Sequence, residues 1–263
     1  MMRTVDRALR ILEFFSIDTP EHGLSEIARL AGHDKATTLR LLTALAHHGF
    51  VEQHPQTKKY RLGKSVLRLA RIRETSFPVA SVIQPLLERL AASTGETAHA
   101  SLASGRSLVT IGIAEPRSSM RVHISPVEVV PYHATASGIA LLAYAGEDSL
   151  NEVLSAGELT RYTDHTIVTA DGLRRQLAET RKRGFAVSAR SFENEVVGIA
   201  APIFDWSGRA YGAIAVASVA ARLNVEKKRR IAAEVLKAAI EATRAMGAEP
   251  HPTLLIGGKE LAA

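Results

Sequence analysis

The chain has 263 residues, 46% of them hydrophobic and 23% charged, with no cysteine. This is ordinary globular composition, long enough for two domains of common size, and it excludes disulfides, thiol catalysis and cysteine-based zinc sites. The net charge of +6 is unevenly spread: residues 1–75 hold 13 Lys/Arg against 8 Asp/Glu, a balance of +5, and the remainder holds 20 against 19. Asp6, Arg7 and Arg10 interrupt any signal-peptide core. The apolar runs at 196–204 and 211–221 fall short of the roughly 20 residues of a membrane helix. The expectation is a soluble, cytoplasmic protein with no membrane partner and an electropositive N-terminal end suited to a polyanion.

A first helix is expected over 4–15, with Val5, Ala8, Leu9, Leu12 and Phe15 on one face and Arg3, Arg7 and Arg10 elsewhere. Arg7 either meets phosphate or only solvent. In LSEIARLAG, Leu24, Ile27, Ala28, Leu30 and Ala31 recur at helical spacing. Ser25 is placed to cap the first turn, and Gly32 stands where a left-handed C-terminal residue is wanted. Asp34 then caps a second helix whose expected inner face is Leu39, Leu42, Leu45 and Ala46. Its outward half offers Lys35, Thr37, Thr38 and Arg40, hydroxyls and cations that reach base edges and phosphates. Gly49 ends that helix, a strand starts at 50–52, Gln56 and Thr57 turn the chain, and 58–62 return as a strand bearing Lys58, Lys59 and Arg61. Two helices, a tight turn and a cationic hairpin make a winged helix-turn-helix over 1–63. One helix would enter the major groove while the wing grips phosphate.

Residues 64–75 read as a helix broken at Phe77-Pro78, a linker over 64–78. A helix over 79–93 turns Val82, Ile83, Leu86, Leu87 and Leu90 inward. Strands are expected at 98–102, 107–114, 120–124, 186–191, 196–204 and 211–219, and helices at 135–145, 150–156, 171–183 and 225–246. Asp205-Trp206-Ser207-Gly208 joins the last two strands as a hairpin turn. This makes 79–248 an α+β domain with a largely antiparallel sheet, followed by a tail, 249–263, expected to be disordered.

In VPYHATASG, 130–138, a strand runs into a helix whose first turn is small. Ala136, Ser137 and Gly138 would let a ligand carboxylate approach unpaired backbone N–H groups, though small residues there also suit plain close packing. His133 either bonds a ligand or ties the turn to the backbone. His99, His123 and His165 lack metal-ligand spacing, so neither metal nor cofactor is expected. There is no G-x-S-x-G elbow, phosphate loop or dinucleotide fingerprint. The reading is non-enzymatic, with a small-molecule hydrolase built on the C-terminal domain as the alternative.

Taken in order, TVDRALRILEFF, LSEIARLAG, KATTLRLLTALAHHGFV with YRLG, PYHATASGIALLA and FENEVVGIAAPIFDWSGRAYGAIAVAS resemble the isocitrate lyase regulator (IclR) family of bacterial transcription factors, over about residues 4–247. The resemblance implies a winged helix-turn-helix, a linker helix that helps dimerise, and a GAF-like effector-binding domain. It also implies a homodimer or dimer of dimers on double-stranded operator DNA, governing an operon for carbon-source or aromatic-compound breakdown. Its effector pocket would use the turn before 136 and the residues matching Val122, Val130, Ser188, Gly198, Ala215 and Ala217. Where some relatives place an acidic residue and serines, this chain has Ser188, Ala215 and Ala217. That departure implies an effector with a larger apolar part, aromatic or aliphatic, and one anionic end.

Overall fold

A computed structural model describes residues 3–16, 19–76, 79–125, 129–155 and 157–262. It divides into two compact units, Met1–Pro78 and Val79–Ala263.

The first unit holds α1 (Arg3–Leu12), α2 (Leu24–Ala31), α3 (Lys35–His47), a hairpin of β1 (Val51–Gln53) and β2 (Tyr60–Leu62), and α4 (Lys64–Ser76). Ile11, Ile27 and Leu42 are fully buried, packed with Leu41, Leu45, Val51 and Tyr60. Gly32 closes α2 in the left-handed conformation, and Asp34 caps α3 by accepting the Thr37 N–H at 2.8 Å. Four expectations need correction here. Ser25 is not the cap of α2: Gly23 holds that position without a side-chain bond, and Ser25 lies exposed in the first turn. α1 packs through Ala8, Ile11 and Leu12, so Val5 and Leu9 face outward. α3 is rotated from the expected face: it buries Thr38, Leu41, Leu42 and Leu45 and leaves Leu39 and Ala46 exposed. The second wing strand is also shorter than 58–62. Lys58 has φ 57° and its N–H donates to the His54 carbonyl, which keeps it in the turn. The expected break at Phe77-Pro78 lies outside the described residues.

In the second unit, α5 (Val79–Thr94) leads into β3 (Thr97–Ser104), β4 (Ser107–Ala114), β5 (Val129–Pro131), α6 (Ala136–Leu142), α7 (Glu147–Leu154) and α8 (Ala170–Arg183). β6 (Ala186–Ala189), β7 (Val196–Phe204), β8 (Ala210–Val219), α9 (Val225–Ala245) and α10 (Pro252–Ala262) follow. The sheet order is β5-β4-β3-β8-β7-β6, antiparallel throughout. Strand alternation sorts side chains by size. Val197, Ile199, Ile203, Ile214 and Val216 face α5 and α9 in the larger core. The opposite face carries Ala186, Ala200, Ala213 and Ala215 against α6 and α8. Small residues let α6 ride close to the sheet.

Two further expectations change. Residues 120–124 form no strand. The Thr97 hydroxyl donates to the Val122 carbonyl at 2.6 Å and fixes that segment over the sheet as irregular chain. The tail is not disordered in its described part: α10 packs on α8 and α9, with Leu254 fully buried.

Candidate functional site

The exposed face of α3 is built from Lys35, Ala36, Leu39, Arg40 and Thr43, which recur at helical spacing. Hydrogen bonds to Asp34 from the Thr37 N–H and hydroxyl anchor the start of this helix and hold the Asp34 carboxyl below its usual range. Arg40 lies outside, donating to the Thr37 hydroxyl at 3.3 Å. Thr38 does not belong to the exposed set. It is fully buried, its hydroxyl donating to the Asp34 carbonyl at 2.9 Å. Leu39 and Thr43 were missed. The signal was the i, i+4 spacing through Lys35, Leu39 and Thr43, masked because a leucine reads as core.

Lys58 and Lys59 stand exposed at the wing's turn, and Arg7 is exposed on α1. Arg61 is partly spent. Its guanidinium pairs with Glu52 across the hairpin at 2.7 Å and approaches Glu21 at 3.7 Å. The unit therefore presents one helix with cationic, hydroxyl and apolar side chains beside a two-lysine wing.

The second unit holds a cavity where the sheet's small-residue face runs beyond the start of α6. The register explains it: Ala217 pairs with both Thr97 and Gly198, and Gly198 with Ser188. That row is too slight to fill the space beneath α6. Gly198 suits the close approach there, since a methyl group would lie 3.0 Å from the Ala136 Cβ, a tight contact. Val122 and Ile124, with Val196 packed against them, and Phe192 and Glu193 complete the lining.

Of the expected pocket residues, Val122, Val130, Ala136, Ser137, Ser188, Gly198 and Ala217 line this cavity. Three do not. His133 bonds the Thr160 carbonyl at 2.9 Å and packs on the Tyr162 ring, tying the turn to a neighbouring loop. Gly138 sits behind the wall, where a Cβ would fall 2.4 Å from the Tyr132 backbone. Ala215 is packed in the α6 core.

The lining also contains Thr135, within the expected stretch, and His99, Thr110, Ile124, Phe192, Glu193 and Val196, which sequence reasoning missed. His99 alternates with Ala98 and Ala100, and so faces α6 rather than the larger core. Its Nε2 lies 3.3 Å from the Ser137 Oγ. Burial pulls its pKa down to about 4, so the ring is neutral near pH 7. No group of three or more His, Asp or Glu among the described residues is placed to hold a metal ion.

Residues 4–55 match the model of the IclR helix-turn-helix domain, and 74–244 match that of the bacterial transcriptional regulator IclR C-terminal domain. The chain belongs to the IclR family. It is similar to the HTH-type transcriptional regulator XynR of Escherichia coli K12, at 29% identity over 94% of this chain and 98% of that one. It is also similar to the HTH-type transcriptional regulator BhcR of Paracoccus denitrificans Pd 1222, at 31% identity over 91% and 86%. A crystal structure of an ICLR-type regulator from Silicibacter sp. TM1040 superposes with a TM-score of 0.89 at 39% identity, covering 95% of this chain and 98% of that one. This IclR-family protein is thus a DNA-binding transcriptional regulator, with the expected helix-turn-helix and α+β domains, and the hydrolase alternative has no support. No helix among its described residues is long and apolar enough to cross a membrane.

Proposed function

We propose that this regulator reads double-stranded operator DNA with α3 in the major groove and with Lys58 and Lys59 of the wing on the phosphates. We infer also that a small organic effector in the second unit's cavity adjusts that binding. The cavity itself carries the effector reading: its lining is largely apolar with a few convergent polar groups, the composition of a small-molecule site. Arg40, Lys35 and Thr37 supply polar readout from α3, while Ala36 and Leu39 are suited to thymine methyls. The operon controlled is one for breakdown of a carbon source, as the family implies, and the protein acts in the cytoplasm.

The regulator works as a homodimer or a dimer of dimers on a pseudo-palindromic site. Supporting this, Val5 and Leu9 on α1 and Leu67, Leu69 and Ile72 on α4 are all exposed, apolar side chains that a second copy of the chain could cover. Linkage supplies the mechanism: an effector that prefers one arrangement of the paired chains, where the operator prefers the other, changes operator affinity by at most its differential affinity for the two.

A gel shift with the DNA upstream of the protein's own gene, read with and without members of a small-acid, alcohol and amide panel, tests this directly. At least one compound should both raise Tm and shift operator affinity. Ser137→Leu, which fills the cavity, should abolish both responses and spare DNA binding. A normal response in that variant contradicts the cavity as the effector site.

A further inference from the structure

We propose that Glu96 and Arg222 are positioning residues of the effector cavity: buried Glu96 aims Arg222 at the Met120 carbonyl and so latches residues 116–124 in place as a wall of the cavity. This rests on the reading of the cavity as the effector site.

Residues 116–124 form a strap that follows β4 and supplies Val122 and Ile124 to the cavity lining. They belong to no strand or helix, and their main chain makes no backbone–backbone hydrogen bond among the described residues. Side chains must therefore hold it. Some of them brace the strap against itself. Glu115, at its root, pairs with Arg121 at 2.7 Å and with His123 at 3.2 Å, and the Arg121 guanidinium also donates to the Ser118 carbonyl. These bonds shape the strap without tying it to β3 or β8.

Among the described residues, two side chains from elsewhere reach its main chain. The Thr97 hydroxyl donates to the Val122 carbonyl at 2.6 Å, and the Arg222 guanidinium donates to the Met120 carbonyl at 2.7 Å. Arg222 comes from the short turn Ala220–Arg222 between β8 and α9. Glu96 fixes its direction. That carboxylate is fully buried, and its Oε1 takes both Arg222, at 3.4 Å, and Lys227 from the first turn of α9. A charge buried to this degree depends on its cations, so it draws Arg222 inward. The guanidinium is a planar fork, and with one nitrogen on Glu96 the other meets Met120. Glu96 also precedes Thr97 directly, so one point of the chain sets both fastenings of the strap. Val122 and Ile124 pack with Ala217 and Val196. Those apolar contacts are non-directional and leave the main chain's position to the two carbonyl bonds.

The chain has no cysteine, so one introduced thiol reports on the strap alone. In Val122→Cys the thiol replaces a buried side chain of the wall, and 4,4′-dithiodipyridine should modify it slowly in the otherwise unaltered full chain. Arg222→Ala, which leaves Lys227 to neutralise Glu96, should speed that reaction about ten-fold or more through local opening. Arg222→Lys should recover part of the protection. Lys227→Ala, which removes a cation from Glu96 but no bond to the strap, should leave the rate nearly unchanged. Glu96→Gln should speed it too, and should add nothing in the Arg222→Ala background, because Glu96 acts through Arg222. A thiol at Ala200, fully buried on the sheet against α6, should stay protected in every one of these variants. An unchanged rate at Val122→Cys in Arg222→Ala would overturn the proposal, leaving apolar packing as the hold on the strap and the effector reading intact. Equal acceleration of the thiols at 122 and 200 would overturn it as well, since the fold and not the strap would then have been released. The effector reading itself fails separately, through a normal response in Ser137→Leu.

Discussion

Thr38 and Leu39 are neighbours on α3 and occupy the places their polarity argues against. Thr38 is buried because its hydroxyl has a partner in the Asp34 carbonyl, which removes the cost of burying it. Leu39 is exposed among Lys35, Arg40 and Thr43. Local chemistry made the cap at Asp34 and the stop at Gly32 legible in the sequence. The buried face was not legible, because leucines at 39, 41, 42 and 45 fit two faces and only the neighbouring helices choose between them. Leu39→Ser should therefore leave stability within about 0.5 kcal/mol, as at ordinary surface positions, and cost ~1–3 kcal/mol of operator affinity. Parallel thermal melts and gel shifts check this. His99 gives a second outcome at this scale. Its folded pKa of about 4 lies below the ordinary 6.5, so protons favour the unfolded chain. Its contribution is complete above pH 6.5 and is lost as pH falls toward 4, with a slope of up to ~1.4 kcal/mol per pH unit. Urea unfolding at pH 7 and pH 5 should show a smaller pH effect in His99→Gln than in the parent chain.

Among the elements, the wing was legible as a hairpin from its turn residues and its cations. The sequence did not reveal that Arg61 is paired with Glu52, since the register Glu52↔Arg61 emerges only when the strands form. The two lysines are thus the wing's free-standing cations in this reading. Replacing Lys58 and Lys59 by Ala should weaken binding to specific and random DNA alike and reduce the salt slope by roughly 1.8, at about 0.9 per phosphate contact. The irregular segment over the cavity and the terminal helix were the elements least visible beforehand. The first is held by side chains far away in sequence, the Thr97 hydroxyl on the Val122 carbonyl and the Arg222 guanidinium on the Met120 carbonyl. The second has Gly257-Gly258 in its middle and poor intrinsic helix propensity. Tertiary packing stabilises it: Leu254 is fully buried, and Gly257 sits where a Cβ would meet the Arg183 carbonyl at 2.2 Å. Leu254→Ala should cost about 2–5 kcal/mol, seen as a lower denaturant midpoint for the second unit with operator affinity retained at low temperature.

At the scale of the whole molecule, the chain pairs a basic DNA-reading unit with a larger, nearly neutral one enclosing a cavity. The division was legible in the charge distribution and in the change from helices to strands after residue 96. The pocket's position at the start of α6 was also legible, because small residues there have a recognisable pattern. Its polar groups were not: His99 and Thr110 come from strands that only the β4-β3-β8 order brings beside α6. Sequence-specific reading of DNA is the property on which every other part of the account depends. The most direct measurement is fluorescence anisotropy of the protein with the DNA upstream of its own gene, against a scrambled fragment of equal length and at the same salt concentration. Binding to the native fragment should be at least ~10³-fold tighter. Equal affinity for the two fragments would contradict it.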